Sequence, residues 1–362
     1  MDLVPQSAKT SNTFEFHLQL ARAALKEGRA FFAYAELKTA LKLGAVVESS
    51  DALLCAILDS PPSCDELSHN QYYRFHTLAT ELRIRAAGRK IAVLDVGGGE
   101  GQLASFVPEF QYCLVEPITN GISAFDLPFD DASFDFVVAC HVLEHIPVGE
   151  REQFIDQLMT KSREGLILLN PFQIAGVDDV EQARFIFELT GAQWALEHVE
   201  CGLPQIEDMY KYANDRGLTV SAKPNGSLAT TTSVVLMDFI ALRSGATDDW
   251  KKINRFLNAE FRRGLDSNDL PTAFLVTFTR EPLSESANDL APVRRPSRLL
   301  DLHARMSNLT DDISRCKLRL EQKLAEHAKL SHMAHEDLIR AEAQLEFLKD
   351  FLLNNGSVSR IL

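Results

Sequence analysis

The chain has 362 residues, 46% of them hydrophobic, and carries a formal net charge of −14. This supplies a large core with appendages, and the acidic balance, with no basic patch interleaved with aromatics, argues against a phosphate-backbone partner, so no nucleic acid is expected. The six cysteines form no C-x-x-C pair and read as reduced thiols of a cytoplasmic protein. The start, MDLVPQSAKTSN, is too polar for a signal peptide. No apolar run reaches a membrane span; the nearest, Val234–Ala241, is far too short.

In chain order, residues 1–60 read as a helical cap. Phe14–Leu43 forms a hairpin in which Ala21, Gly28, Ala33, Leu37 and Ala40 fall where a tetratricopeptide unit places small and apolar residues, with Gly28 at the turn, and Ser50–Leu58 adds a further helix. One such unit cannot bury its own apolar face. It is expected to pack on the main domain, with docking of a partner as the alternative. Pro61–Pro62 opens the next unit, residues 61–282. Glu66–Ala87 reads as a helix bearing Tyr72, Tyr73, Phe75 and His76. Strands are expected at Ile91–Asp95, Tyr112–Glu116, Phe134–Ala139, Leu166–Asn170, Gly217–Lys223 and Ala273–Thr279. The chain is expected to be helical up to Arg216, and again over Thr230–Leu242 and Asp248–Arg263. Residues 283–298 are a linker. Residues 299–354 carry a heptad rhythm (Leu302, Met306, Leu309, Ile313, Cys316, Leu320) that breaks phase at Leu324 and returns with Ala334, Leu338, Ala341, Leu345, Leu348 and Leu352. That is a coiled coil with one stutter, expected to make a homo-oligomer; a helix folded back on the main domain is the alternative.

The segment IAVLDVGGGEGQLASFV, Ile91–Val107, joins a strand to a helix through Gly97, Gly98, Gly99 and Gly101. Glycines there let backbone N–H groups approach a ligand. G-x-G-x-x-G spacing fails at Gln102 and is met from Gly99 only with Ala104 in the third place, which the looser dinucleotide fingerprint allows. No G-K-[ST] ending is present.

The pattern Asp95-x-Gly97-x-Gly99-x-Gly101 resembles motif I of class I S-adenosylmethionine-dependent methyltransferases. Glu116, ending YCLVEP, matches the acid that in this family chelates the ribose hydroxyls. Phe125–Pro147, FDLPFDDASFDFVVACHVLEHIP, resembles the LPF-x-D-x-SFD and VLEH signature of the type 11 subgroup. The resemblance covers Glu66 to Arg280. It implies an α/β fold, a seven-stranded Rossmann-like sheet, with S-adenosyl-L-methionine as cofactor; the N-terminal hairpin and the C-terminal coiled-coil helix read from the residue pattern flank it. In such a fold the Glu66–Ala87 helix precedes strand one and closes over the cofactor, unless its aromatics simply pack. The implied cofactor set is Asp95, Gly97, Gly98, Gly99, Gly101, Glu116, Ala124, Phe125, Asp126 and His141. One departure stands out: only Pro117–Asp126 separate Glu116 from the LPF motif, too few for the usual helix. Ser123 also stands where relatives carry an acid. Backbone near Ala124 and the Phe125 ring, or Asp126, are then left for the adenine.

After strand four, His141, Glu144 and His145 have i, i+3, i+4 spacing and are expected on one helix face. Three readings stay open: the triplet anchors the helix, as the type 11 resemblance implies; His141 or His145 takes a proton from the acceptor; or the three side chains hold a divalent metal, as resemblance to a related quinone-precursor subgroup implies. Taken whole, the sequence assigns catalysis to His141, His145 and His198 and no metal, with Glu144 and His145 the ligands if one is bound. There is no [DN]-P-P-[YF] cradle for an amine and no Pro-Cys nucleophile, Cys140 following Ala139. Asn170, Pro171, Glu181, Trp194, Glu197, His198, Gly202, Leu203, Pro204 and Asn225 resemble a pattern in methyltransferases from bacterial surface-polysaccharide gene clusters. That resemblance implies O-methylation of a glycan or glycan precursor. The alternatives are a small quinone, lipid or secondary metabolite as acceptor, or a coiled-coil scaffold whose methyltransferase-like domain is silent. No membrane insertion is expected.

Overall fold

The computed structural model describes residues 13–173, 179–226, 228–261, 271, 273–281 and 299–354. Six strands form one mixed sheet: β1 (Ala92–Val96), β2 (Gln111–Val115), β3 (Phe134–Cys140), β4 (Ser162–Asn170), β5 (Thr219–Asn225) and β6 (Ala273–Thr279), in the order β2-β1-β3-β4-β6-β5. β2, β1, β3 and β4 pair in parallel, and β6 enters antiparallel between β4 and β5. Every residue of β1 is buried, as are all but one of β3, the continuous apolar run of strands covered on both faces.

Alternate residues of each strand feed two cores. Val93, Leu114, Phe136, Val138, Ile167 and Leu275 face one cluster; Leu94, Cys113, Val115, Val137, Leu168 and Phe278 face the other. The first is covered by α1 (Phe14–Lys26), α2 (Ala30–Lys42), α3 (Ala52–Asp59), α4 (His69–Ala86) and the single turn α5 (Leu103–Phe106). The second is covered by α6 (Arg151–Lys161) and α9 (Ile206–Asp215). Between β4 and α9 lie α7 (Asp179–Thr190) and α8 (Gln193–Cys201). Beyond β5 come α10 (Leu228–Ser244), α11 (Thr247–Phe261), β6 and the long α12 (Leu299–Asn354).

The expected seventh strand is absent among the described residues. The chain from Glu116 to Ser133 is turns and bends, because it is too short for a helix and a strand in succession. β2 is therefore an edge, and α2 lies against it. Every residue of α2 from Phe32 to Ala40 is buried, including Glu36, Lys38 and Thr39. Thr39 Oγ1 accepts the outward N–H of Leu114 at 2.9 Å, a ladder bond that another strand would otherwise make. Lys38 Nζ donates to Val107 O and Pro108 O at 3.0 and 2.8 Å, closing the carbonyl end of α5. Burial pushes that ammonium down to about 8, with Glu109 acting the other way.

In the C-terminal helix α12, Leu338 and Leu345 of the heptad rhythm are exposed; the side chains of the earlier positions, Leu302 to Leu324, and the linker 283–298 lie outside what is described. No helix among the described residues is long and apolar enough to cross a membrane.

Candidate active site

The C-terminal ends of β1, β2 and β3 meet the glycine turn. Gly97 N–H donates to Val115 O at 2.8 Å, tying the turn to β2. Gly99 has φ +56, and a side chain there would meet open space. Its N–H donates to Glu116 Oε2 at 3.0 Å, while Ile118 N–H donates to Oε1 at 3.2 Å. Glu116 is thus fixed beside the turn by two backbone donors, each carboxylate oxygen retaining acceptor capacity.

Asp95 is fully buried at the end of β1. Oδ2 accepts the Tyr112 hydroxyl at 2.6 Å, and Oδ1 has no hydrogen-bond partner. Burial pushes the carboxyl up to about 7, Tyr112 opposing and Glu116 adding to the rise. A buried acceptor without a donor fits a site completed by a cationic ligand. An open backbone turn, a fixed neighbouring acid and this orphaned oxygen are what a sulfonium nucleoside with an ammonium end requires. Ala124, Phe125 and Asp126 lie on the loop between β2 and β3. Phe125 is exposed with its ring 6.0 Å from Phe154, and Asp126 is exposed.

The hairpin reaches this site, which the sequence did not signal. Arg29 donates to Glu100 of the glycine turn through Nε and Nη2 at 3.1 and 2.7 Å. Gly101 has φ +71, and a Cβ on it would collide with the Cβ of Ala35. A buried polar chain runs deeper. His17 pairs with Glu36, both fully buried. Glu36 Oε1 accepts from Asn120 Nδ2 at 3.0 Å, and Asn120 Oδ1 accepts the Glu116 N–H at 3.0 Å.

On the acceptor side, His141 follows β3 with φ +57, a left-handed conformation that costs a non-glycine residue about 1 kcal/mol or more. Its N–H donates to Leu169 O at 2.8 Å. Leu143–His145 is a short 3₁₀ turn rather than an α-helix, so His141, Glu144 and His145 do not share a helix face as their spacing suggested. They converge because the left-handed turn at His141 folds the segment back on itself. Val142 packs where a Cβ on Gly97 would sit, which places this turn directly beside the glycine loop.

Glu144 is fully buried. His141 Nδ1 lies 3.0 Å from its Oε1, and Asn170 Nδ2 donates to Oε2. Burial alone would push the Glu144 carboxyl up; the imidazoles of His141, His145 and His198 outweigh it, and the group stays ionised. Burial, then the Arg74 guanidinium, push His141 down to about 4, so it is neutral near pH 7. Burial lowers His198 as well.

Residues far apart in sequence meet here. α8 packs on the 3₁₀ turn and brings His198 Nε2 to 3.9 Å from Glu144 Oε1, Glu197 Oε2 to 2.7 Å from His145 Nδ1, and Trp194 edge-on to His198. Arg151 donates to the carbonyls of Cys201 and Gly202, holding the end of α8. Asn225 is elsewhere, on β5, its Oδ1 accepting from Thr77 at 3.1 Å; the Glu181 side chain lies outside what is described. Cys140 is buried with its thiol pushed up by burial, unsuited to nucleophilic attack.

Residues 69–223 match the family model of a methyltransferase domain. Among solved structures, the chain is similar to a candidate sarcosine dimethylglycine methyltransferase from Galdieria sulphuraria, at 15% identity and a TM-score of 0.40 over 58% of this chain and 85% of that one. It is also similar to magnesium protoporphyrin IX methyltransferase from Synechocystis, with S-adenosylhomocysteine bound, at 12% identity and a TM-score of 0.36 over 64% and 95% of the two chains. No curated protein matches the chain. The family match places a methyltransferase domain at residues 69–223, on the α/β unit, with S-adenosylmethionine the cofactor such a domain implies.

Proposed function

We propose that the enzyme methylates a hydroxyl group, on a glycan or glycan precursor. The observation that carries this reading is the cluster of His145, His198 and Glu144 beside the glycine loop. A hydroxyl is a poor nucleophile at neutral pH and needs its proton taken as the methyl moves. His198, which burial keeps neutral, is set to take it, and ionised Glu144 stabilises the imidazolium that results. His145, beside Glu197, belongs to the same cluster; His141, with its Nδ1 at Glu144, orients it.

S-adenosylmethionine, when bound, supplies a methyl group already activated on sulfonium sulfur. The residues that hold it in this reading are Gly97, Gly98, Gly99 and Gly101 through their backbone, Glu116 at the ribose, Asp95 toward the ammonium end, and Ala124, Phe125 and Asp126 around the adenine. The protein's remaining work is alignment and exclusion of water. The glycan assignment is supported by the Asn170 to Pro204 residues that resemble surface-polysaccharide methyltransferases, of which Asn170, Trp194, Glu197, His198 and Gly202 border this cluster or the end of α8. We further propose that α12 pairs with a second copy of the chain as a coiled coil, in the cytoplasm; sedimentation at a monomer mass would contradict that pairing.

The test is transfer of isotopic label from S-adenosylmethionine to fractionated cell envelope, lipid-linked glycans and small quinones. Label in a glycan fraction, resistant to mild base as an ether is, is expected. Label confined to a quinone, lipid or small-metabolite fraction would replace the acceptor, and no turnover with cofactor still bound would favour a silent scaffold.

A further inference from the structure

The two oxygens of Glu144 have different surroundings. Oε2 accepts from Asn170, whereas Oε1 has no aligned hydrogen bond although it is fully buried. Three imidazole nitrogens surround it: His141 Nδ1 at 3.0 Å, His198 Nε2 at 3.9 Å and His145 Nε2 at 4.0 Å. The last two separations are too long for hydrogen bonds. They are close to the spacing of atoms that share one ion, and one ligand atom each from Glu144, His145 and His198 lies within 4.8 Å of the others. Around a tetrahedral zinc, with bonds of about 2.0–2.1 Å, ligand atoms stand about 3.3–3.5 Å apart. Side-chain rotations that bring each imidazole about half an ångström closer to the carboxylate, and the two imidazole nitrogens to about 3.4 Å from each other, would complete the shell.

The outer contacts point the same way. His145 Nδ1 lies 2.7 Å from Glu197 Oε2 without an aligned hydrogen bond; a small rotation of the ring would make the carboxylate–imidazole pairing that fixes a ligating histidine and turns its other nitrogen toward the ion. Asn170 fixes the Glu144 carboxylate from the far side, and Trp194 packs edge-on against His198 with ring centroids 5.2 Å apart. His145 and His198 keep 27% and 14% side-chain exposure, so an ion can enter from solvent.

We propose that Glu144 Oε1, His145 Nε2 and His198 Nε2 coordinate a divalent transition-metal ion of the zinc class, with a position left open for an oxygen ligand. Two imidazoles and one carboxylate suit zinc, iron(II) or manganese(II) better than magnesium or calcium, which favour all-oxygen shells. The coordination stands on these residues alone. The assignment of the open position to the acceptor hydroxyl rests on the O-methylation reading above; the ion then takes the activating role given there to His198.

The experiment uses the full chain, stripped with chelator and titrated with Zn²⁺ or Co²⁺. The expected result is one equivalent per chain, zinc bound more tightly than about 1 μM, and a visible cobalt spectrum of a low-coordinate nitrogen–oxygen site. His198→Ala should weaken binding at least 100-fold and Glu197→Gln about 10- to 100-fold, with a thermal shift by S-adenosylhomocysteine confirming that each variant is folded. Wild-type affinity no better than that of folded His198→Ala would overturn the site. So would a cobalt spectrum with thiolate charge-transfer bands that vanish in Cys201→Ser, since the ion would then sit on sulfur. Stoichiometric zinc with no labelled hydroxyl product would retain the site and retire the acceptor assignment. Hydroxyl methylation undiminished in metal-free protein would leave the acceptor standing and remove the ion from catalysis.

Discussion

Replacing Asn120 with alanine should unlock the N-terminal hairpin from the cofactor site. Asn120 makes three bonds of 2.9–3.0 Å that no backbone group replaces: Nδ2 to Leu114 O and to Glu36 Oε1, and Oδ1 from the Glu116 N–H. The variant leaves an edge-strand carbonyl, a fully buried carboxylate and a backbone donor without these partners. Each orphan costs about 1–3 kcal/mol. Water entering the space left by the amide recovers part of this, so a loss of about 3 kcal/mol is expected, a large share of the 5–15 kcal/mol typical of a folded domain. Urea denaturation of the full chain measures it. Because the Glu116 backbone loses its anchor, affinity for S-adenosylhomocysteine by calorimetry should fall as well, by about tenfold. A loss below about 1 kcal/mol with cofactor affinity unchanged would refute the reasoning, and the hairpin would then be an appendage rather than a wall of the site.

Two further outcomes follow from the same geometry. Gly101→Ala combines a left-handed φ with a collision against Ala35 and should destabilise by about 2–4 kcal/mol; adding Ala35→Gly should restore the steric part but not the backbone part, as melting temperatures of the two variants would show. Asp95 titrates near pH 7 in the folded protein and near 3.9 unfolded, so the folded state holds its proton more tightly. Its contribution to stability is fully present below about pH 4 and is lost as pH rises through about 7. A cationic cofactor favours the ionised form, so affinity should strengthen from pH 6 to pH 8, and Asp95→Asn should flatten that dependence.

The strands from β1 to β4, the glycine turn and the acid at Glu116 were legible because each is local: an apolar run of strand length, then glycines or a carboxylate at its end. β6 was placed to the residue by its alternation and bulky side chains. The seventh strand was expected from family pattern, although the ten residues between Glu116 and Leu127 already lacked room for the helix ahead of it. The i, i+3, i+4 spacing at His141 misled because spacing does not report the left-handed turn that replaces a helix there. The hairpin's part in the site was hidden for another reason. His17, Glu36, Thr39 and Asn120 act through bonds between segments up to 84 residues apart, for which sequence carries no periodic signal. The one available hint was Glu36-Leu37-Lys38-Thr39, a polar run in a helix whose neighbours are all core residues.

Binding of S-adenosylhomocysteine to the full chain, measured by calorimetry for wild type and Glu116→Ala, tests the central claim most directly. One site per chain is expected. The variant should lose at least about tenfold in affinity, because two hydroxyl bonds to a charged acceptor disappear. Equal affinity in the two proteins, or displacement of the ligand by a nicotinamide dinucleotide, would contradict the account.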